Sequence, residues 1–223
     1  MAIDKAAYVS LQLELTKKGI TLVAVSKTKP VADILELYAL GQRDFGENYV
    51  QELVDKAAQL PADIRWHFIG HLQTNKVKYI VPFVHLIHGV DSEKLLAEIH
   101  KQGARLNRVT GCLLQVHIAR EETKFGLDNA ELDQLMQRLT ENDTYAHVMV
   151  RGLMGMASFS ENTALVEAEF RQLHAYYKQY EAIKTSNCSF DTLSMGMSGD
   201  YKLAMAAGSN LVRIGSLLFG SRT

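Results

Sequence analysis

Eight short, β-prone apolar runs alternate with longer amphipathic segments along the whole chain, and this alternation restricts the fold more than any other feature. The runs are TLVAVSKT (21–28), RDFGE (43–47), WHFIG (66–70), HLIHGV (85–90), GCLLQVHIA (111–119), HVMVRGLMG (147–155), TLSMGM (192–197) and LVRIG (211–215). Between them, apolar residues return at helical spacing, as in Val50, Leu53, Val54 and Ala57, and again in Leu132, Leu135, Met136 and Leu139. Val166, Phe170, Leu173 and Tyr177 continue the pattern after the sixth run. Pro30 suits the first turn of the helix after strand one, Gly41 suits its end, and Gly208 closes the helix after strand seven. Strand then helix, eight times, predicts an α/β protein built as a single (β/α)8 TIM barrel. The usual length of that fold, about 250 residues, takes up all of residues 1–223 as one domain. An open doubly wound sheet is the alternative, but its GxGxxG fingerprint is absent after strand one.

Charge and composition narrow the partners. The chain has 24 Lys plus Arg against 25 Asp plus Glu, so it builds no field suited to nucleic acid or an anionic membrane, and a small-molecule ligand is the default. The N-terminal stretch MAIDKAAYVSLQLELTKKG is too charged for a signal peptide. The apolar stretch YIVPFVHLIHGV is too short and too interrupted to cross a bilayer. A soluble, cytoplasmic protein is expected. Cys112 lies in an apolar run and Cys188 in a polar stretch read as a loop, with no CxxC pair, so neither a disulfide framework nor a zinc site is expected. His85, His88, His117 and His147 show no ligand spacing, and no metal is expected. Met154, Met156, Met195 and Met197 read as core filling.

The chemistry concentrates at the two ends of the chain. Barrel enzymes gather their working groups at the carboxyl ends of the strands, where LVAVSKTKP places Lys27. Strand alternation puts Val23, Val25 and Lys27 on one inward face. A partly desolvated lysine there has a lowered pKa and offers the neutral amine that attacks an aldehyde; the competing reading is a rim lysine with its charge in water. Lys29, against Pro30, reads as a solvated rim residue. At the other end, SMGMSGDYKLAMAAGSNLVRIGSLLFG (194–220) covers the place where barrels bind phosphate. Ser198 starts the helix after strand seven, and Gly215 and Ser216 open the segment after strand eight, offering N–H groups to an anion or simply capping. Arg213 puts a permanent cation inside an apolar strand, where it needs either a barrel carboxylate or a ligand acceptor. Aldehyde, phosphate and heteroaromatic nitrogen together describe pyridoxal 5′-phosphate (PLP).

The strings LVAVSKTKP, FGENYVQE (45–52), WHFIGHLQTNK (66–76), RGLMGM (151–156), LSMGMSGD (193–200) and VRIGSLLFG (212–220) resemble, in the same order, the pyridoxal phosphate homeostasis proteins of the YggS/PROSC type. The resemblance implies a barrel similar to the N-terminal domain of alanine racemase, with PLP held as a Schiff base on Lys27. It puts Ser198, Gly215 and Ser216 in the phosphate cup and Arg213 at the pyridine nitrogen, leaving that nitrogen unprotonated and the ring a weaker electron sink. It also implies a PLP carrier in vitamin B6 balance with no established catalytic activity. The C-terminal β domain of the racemases, which supplies a tyrosine base, has no counterpart in this sequence. The segment before strand one is shorter than the family pattern.

Three further positions carry expectations. Asn48 reads as the N-cap of NYVQ with Gln51 completing a capping box, and the family position also brings it to the cofactor. His67 is either a satisfied core histidine or a cofactor contact. Lys124, in REETKFGL, resembles a family loop lysine that steers PLP, or is a plain solvated lysine. The expected partners are PLP and apo PLP-dependent enzymes, with no nucleic acid or membrane, and the expected state is a monomer. The alternatives are a single-domain PLP-dependent racemase or lyase, with His67 as its nominal acid or base, a Schiff-base aldolase acting on a sugar phosphate, and an interaction scaffold.

Overall fold

The β-prone runs form eight parallel strands that close on themselves in chain order. They are β1 Thr21–Val25, β2 Asp44–Glu47, β3 Arg65–Phe68, β4 Leu86–Val90, β5 Thr110–Gln115, β6 Val148–Met154, β7 Cys188–Met197 and β8 Leu211–Ile214. Strand β8 pairs with β1, setting Val23 opposite Arg213, so no strand edge is left to template aggregation. The computed structural model describes residues 3–121, 125–141 and 143–220.

Period-two alternation divides the strand side chains into two cores. Val23, Leu86, Leu113, Met154 and Leu211 come from five strands and touch one another across the barrel interior. Their neighbours Leu22, Ala24, Ile87, Cys112, Leu114, Val212 and Ile214 point outward into the larger core beneath the helices. The interior is tight at Gly46, where a Cβ would come within 2.9 Å of a Val23 methyl and 3.3 Å of Ile69.

The helices are α1 Lys5–Lys17, α2 Val31–Ala39, α3 Val50–Ala57, α4 Val77–Ile80, α5 Glu93–Arg105, α6 Asn129–Glu141, α7 Thr163–Tyr180, α8 Tyr201–Ala206 and α9 Ser216–Phe219. The long helices α6 and α7 bury the faces their spacing predicted. In α6 these are Leu132, Leu135, Met136 and Leu139; in α7 they include Val166, Phe170 and Leu173. Truncating a fully buried ring such as Phe170 to alanine typically costs about 3–5 kcal/mol. Before β1, α1 is capped by Asp4, whose carboxylate accepts from Ala7 N at 2.8 Å, and buries Tyr8, Leu11 and Leu15. Asp4 N also donates to Leu218 O, tying the start of the chain to α9. Among the described residues no helix is long and apolar enough to cross a membrane.

Several boundaries differ from the sequence expectation. Strand β1 ends at Val25 rather than Thr28, because Thr28 adopts φ +64°, which leaves the extended region, so Lys27 sits in the loop beyond the strand. Strand β7 begins at Cys188, four residues early. That cysteine is buried and paired opposite Val150, not in a loop, and burial pushes its thiol up to about 12. Pro30 is the N-cap of α2 rather than a residue of its first turn. Gly41 and Gly208 follow α2 and α8 with φ near +100°, as their positions required.

Candidate functional site

A cavity of about 460 Å³, within the ordinary size range of small-molecule sites, opens at the carboxyl ends of the strands. Its wall contains Lys27, Asn48, Ser198, Arg213, Gly215 and Ser216, residues from opposite ends of the chain that barrel closure brings together. Lys27 is half-buried beside Val25. The loops after β7 and β8 are joined directly, since Gly215 N donates to Ser198 Oγ at 3.2 Å. Helix α9 has four residues and a negligible dipole, so any anion there would be held by individual N–H and O–H donors. Lys29 corrects its rim reading: it lines the cavity, and its Nζ donates to Phe219 O, the last carbonyl of α9, at 2.9 Å.

The loop carrying Lys27 is braced by an ion-pair network that the sequence did not reveal. Lys56 Nζ on α3 donates to Ser26 O, Glu47 Oε1 and Glu52 Oε1, each at 2.7 Å. Ser26 Oγ donates to Glu47 Oε1 at 2.6 Å, and Thr28 N donates to Glu52 Oε1 at 2.6 Å. The two residues flanking Lys27 are thus fixed to one buried cation and its two carboxylates. Burial raises the Glu47 pKa, while Lys56 and the Ser26 hydroxyl pull it back down. The only sequence trace of this brace is the Glu52–Lys56 pair at i,i+4 spacing.

Arg213 is 4% exposed and has no carboxylate ion pair among the described residues. Its Nη1 donates to Ser194 O at 2.9 Å and Ser194 Oγ at 2.6 Å, and its Nη2 to Gly155 O at 3.2 Å. Burial lowers its pKa to about 10, with Asp200 opposing, so it remains a cation at neutral pH. An arginine built into the cavity wall with only neutral partners is equipped to donate to a ligand.

Asn48 is not the N-cap of α3, a position that Tyr49 occupies without a side-chain bond. Its Oδ1 is instead buried at the cavity with no hydrogen-bond partner among the described residues. His67 does not line the cavity. It lies in the barrel interior, bonded to His88 and Asp44, which is the core-histidine alternative and removes it as an acid or base for a ligand. Met154 and Met195 fill the core, whereas Met156 and Met197 line the cavity. Lys124 lies outside the described residues.

The structure also groups Asp44, His67 and His85, whose ligand atoms lie within 4.8 Å of one another at the opposite mouth of the barrel. Spacing along the chain concealed this cluster, because its members come from three successive strand regions. Arg65 donates to both Asp44 oxygens, and Arg151 adds a second positive charge that acts on both histidines. Such surroundings oppose a divalent cation.

The fold and this cavity define a single-barrel protein of the alanine racemase type. The profile described as alanine racemase, N-terminal domain, matches residues 9–223. Curated relatives narrow the class further. A pyridoxal phosphate homeostasis protein of Aquifex aeolicus is 41% identical over 90% of this chain and 86% of its own. The Escherichia coli K12 protein of the same name is 37% identical over 98% of this chain and 93% of its own. The chain belongs to the pyridoxal phosphate homeostasis protein family. Among solved structures, PipY of Synechococcus elongatus with PLP bound superposes with a TM-score of 0.86 at 36% identity, covering 96% of this chain and 99% of PipY. Alanine racemase of Bartonella henselae, at 17% identity and a TM-score of 0.70, shares the barrel over 97% of this chain and 59% of its own.

Proposed function

We propose that the chain binds PLP reversibly in this cavity and serves as a carrier in PLP homeostasis. The residues present fit the group. The observation that carries the reading is a half-buried lysine in a braced loop, facing a cavity whose wall also holds a carboxylate-free arginine and an orphaned amide oxygen on Asn48. Bound PLP supplies an aldehyde able to link covalently to an amine. Lys27 would hold that aldehyde through its side-chain nitrogen, an attachment that water or an incoming amine could reverse. Ser198, Gly215 and Ser216 hold the phosphate, Lys29 adds positive charge beside them, and Arg213 donates to the ring nitrogen. PipY, solved with PLP and sharing almost the whole fold, supports this assignment.

The donor set supports carriage rather than catalysis. Among the described residues that line the cavity, the ionisable groups are Lys27, Lys29 and Arg213, with no histidine, tyrosine or carboxylate to move a second proton. The protein acts as a cytoplasmic monomer that releases PLP to apoenzymes or free amines. Purified protein mixed with PLP turns yellow, and borohydride fixes the ligand on the peptide containing Lys27, while Lys27→Ala does neither. A wild type that stays colourless in PLP refutes the reading. Solvent deuterium appearing at Cα of an enantiopure amino acid incubated with the loaded protein would move it to the racemase class.

A further inference from the structure

Five side chains from five strands form one hydrogen-bonded line through the barrel. His67 Nε2 lies 3.0 Å from Asp44 Oδ1, and His67 Nδ1 lies 2.9 Å from His88 Nε2. His88 Nδ1 lies 3.0 Å from Ser194 Oγ, which accepts from Arg213 Nη1 at 2.6 Å. Asp44 opens β2 at one mouth of the barrel, and Arg213 stands at the cavity in the other. The interior members are shut away from water: His67 is 2% exposed, and His88 and Ser194 are 0%.

The Asp44 end determines the direction of every bond along the line. The Asp44 carboxylate only accepts, and Arg65 keeps it ionised by donating to both its oxygens. His67 therefore carries its hydrogen on Nε2. A neutral His67 must then accept at Nδ1, so His88 donates from Nε2 and accepts at Nδ1, and the Ser194 hydroxyl donates to it. The Ser194 lone pairs are left for Arg213, which can only donate. The Asp44 end sets this order, the Arg213 end is compatible with it, and it holds only while both rings are neutral. Burial holds both imidazoles below the ordinary histidine range, with Asp44 opposing at His67 and the Arg213 charge reinforcing at His88.

We propose that His88 and His67, through Ser194, are positioning residues for Arg213: a one-way donor chain from Arg213 to Ser194, His88, His67 and Asp44 holds the guanidinium at the cavity wall. Aligned bonds polarise one another, so the Asp44 charge at the far end strengthens each donation along the chain, beside the direct favourable charge of Asp200 on Arg213. The effect on ligand rests on the reading that Arg213 meets the PLP ring nitrogen; the direction of the chain does not.

Long-range ¹H–¹⁵N correlation of ¹⁵N-histidine-labelled protein without PLP tests the chain directly. His67 and His88 are each expected as neutral rings protonated at Nε2. A cationic ring, or an Nδ1–H form at either position, overturns the proposal. Ser194→Ala then removes one link with the smallest change in volume. Its expected result, in a protein folded by circular dichroism, is loss of the single His88 tautomer, a shifted visible band for bound PLP, and a PLP dissociation constant raised about three- to tenfold. A folded Ser194→Ala protein with unchanged band and affinity also overturns it. A wild type that takes up no PLP would defeat the cofactor reading instead, and the tautomers would still decide the chain.

Discussion

Replacing Lys56 by methionine removes the cation that, among the described residues, both acidic members of the Lys27 brace share. The side chains are similar in length, so the effect is electrostatic rather than a cavity. Lys56 is 5% exposed and Glu47 0%, and Glu47 Oε2 already has no partner among the described residues. Losing Lys56 leaves the buried Glu47 with the Ser26 hydroxyl alone. Removing one partner of a buried pair costs about 3–5 kcal/mol. The Glu52 arm, with 22% of its side chain exposed, adds no more than about 1 kcal/mol. Against a typical domain stability of about 5–15 kcal/mol, this is a large fraction. Its pH dependence has a definite sign. Burial already raises Glu47 above 4.5, and without Lys56 it rises further. A group whose folded pKa is raised gives its full stability below the unfolded value and loses it as pH rises through the folded value. Urea unfolding should therefore show Lys56→Met far less destabilised at pH 5 than at pH 8, and Glu47→Gln added to it should restore at least half of the loss at pH 8. A loss below about 1 kcal/mol at pH 8, or equal losses at both pH values, would refute the account, since either would show the network to be a screened surface feature.

Two further outcomes follow from the geometry. In Gly152→Ala the new Cβ would sit 1.9 Å from Thr192 O at φ +143°, so thermal melts should show a loss of about 2–5 kcal/mol, while Gly199→Ala, with open space around it, should lose less than about 1 kcal/mol; equal melts would be inconsistent with the β6–β7 packing. Asn48→Leu should leave the PLP-free protein as stable or more stable, by up to about 1–2 kcal/mol, because an orphaned buried acceptor is removed, and should weaken PLP binding by titration calorimetry; a variant that loses stability and keeps its affinity would show Asn48 to be structural.

Much of the cavity was legible before folding because its residues stand at strand ends, and strand ends are readable from period and punctuation. Lys27 follows an apolar strand, Gly215 and Ser216 follow another, and Arg213 announces itself as a charge inside an apolar run. The Asn48 cap was misjudged because a side chain that can cap can equally face a ligand, and local sequence does not distinguish them. Cys188 was misplaced because its neighbours are polar, while the residue itself is buried by pairing with β6, a contact made across more than thirty residues. The burial of Lys56 was hidden for a similar reason: a lysine beside glutamates on a helix reads as a solvated pair unless a loop folds over it.

The sequence by itself determined the alternation of strands and helices and the inward and outward faces. Each of those follows from the local periods of 2 and 3.6 residues, which any segment expresses without its distant neighbours. Only the closed barrel decided which polar side chains meet. His88 and Ser194 stand 106 positions apart, yet they face each other because closure turns five separate inward faces toward one axis. The acceptor-only Asp44 carboxylate at one end of that line then leaves each neutral ring one direction to donate, and this selection exists only in three dimensions.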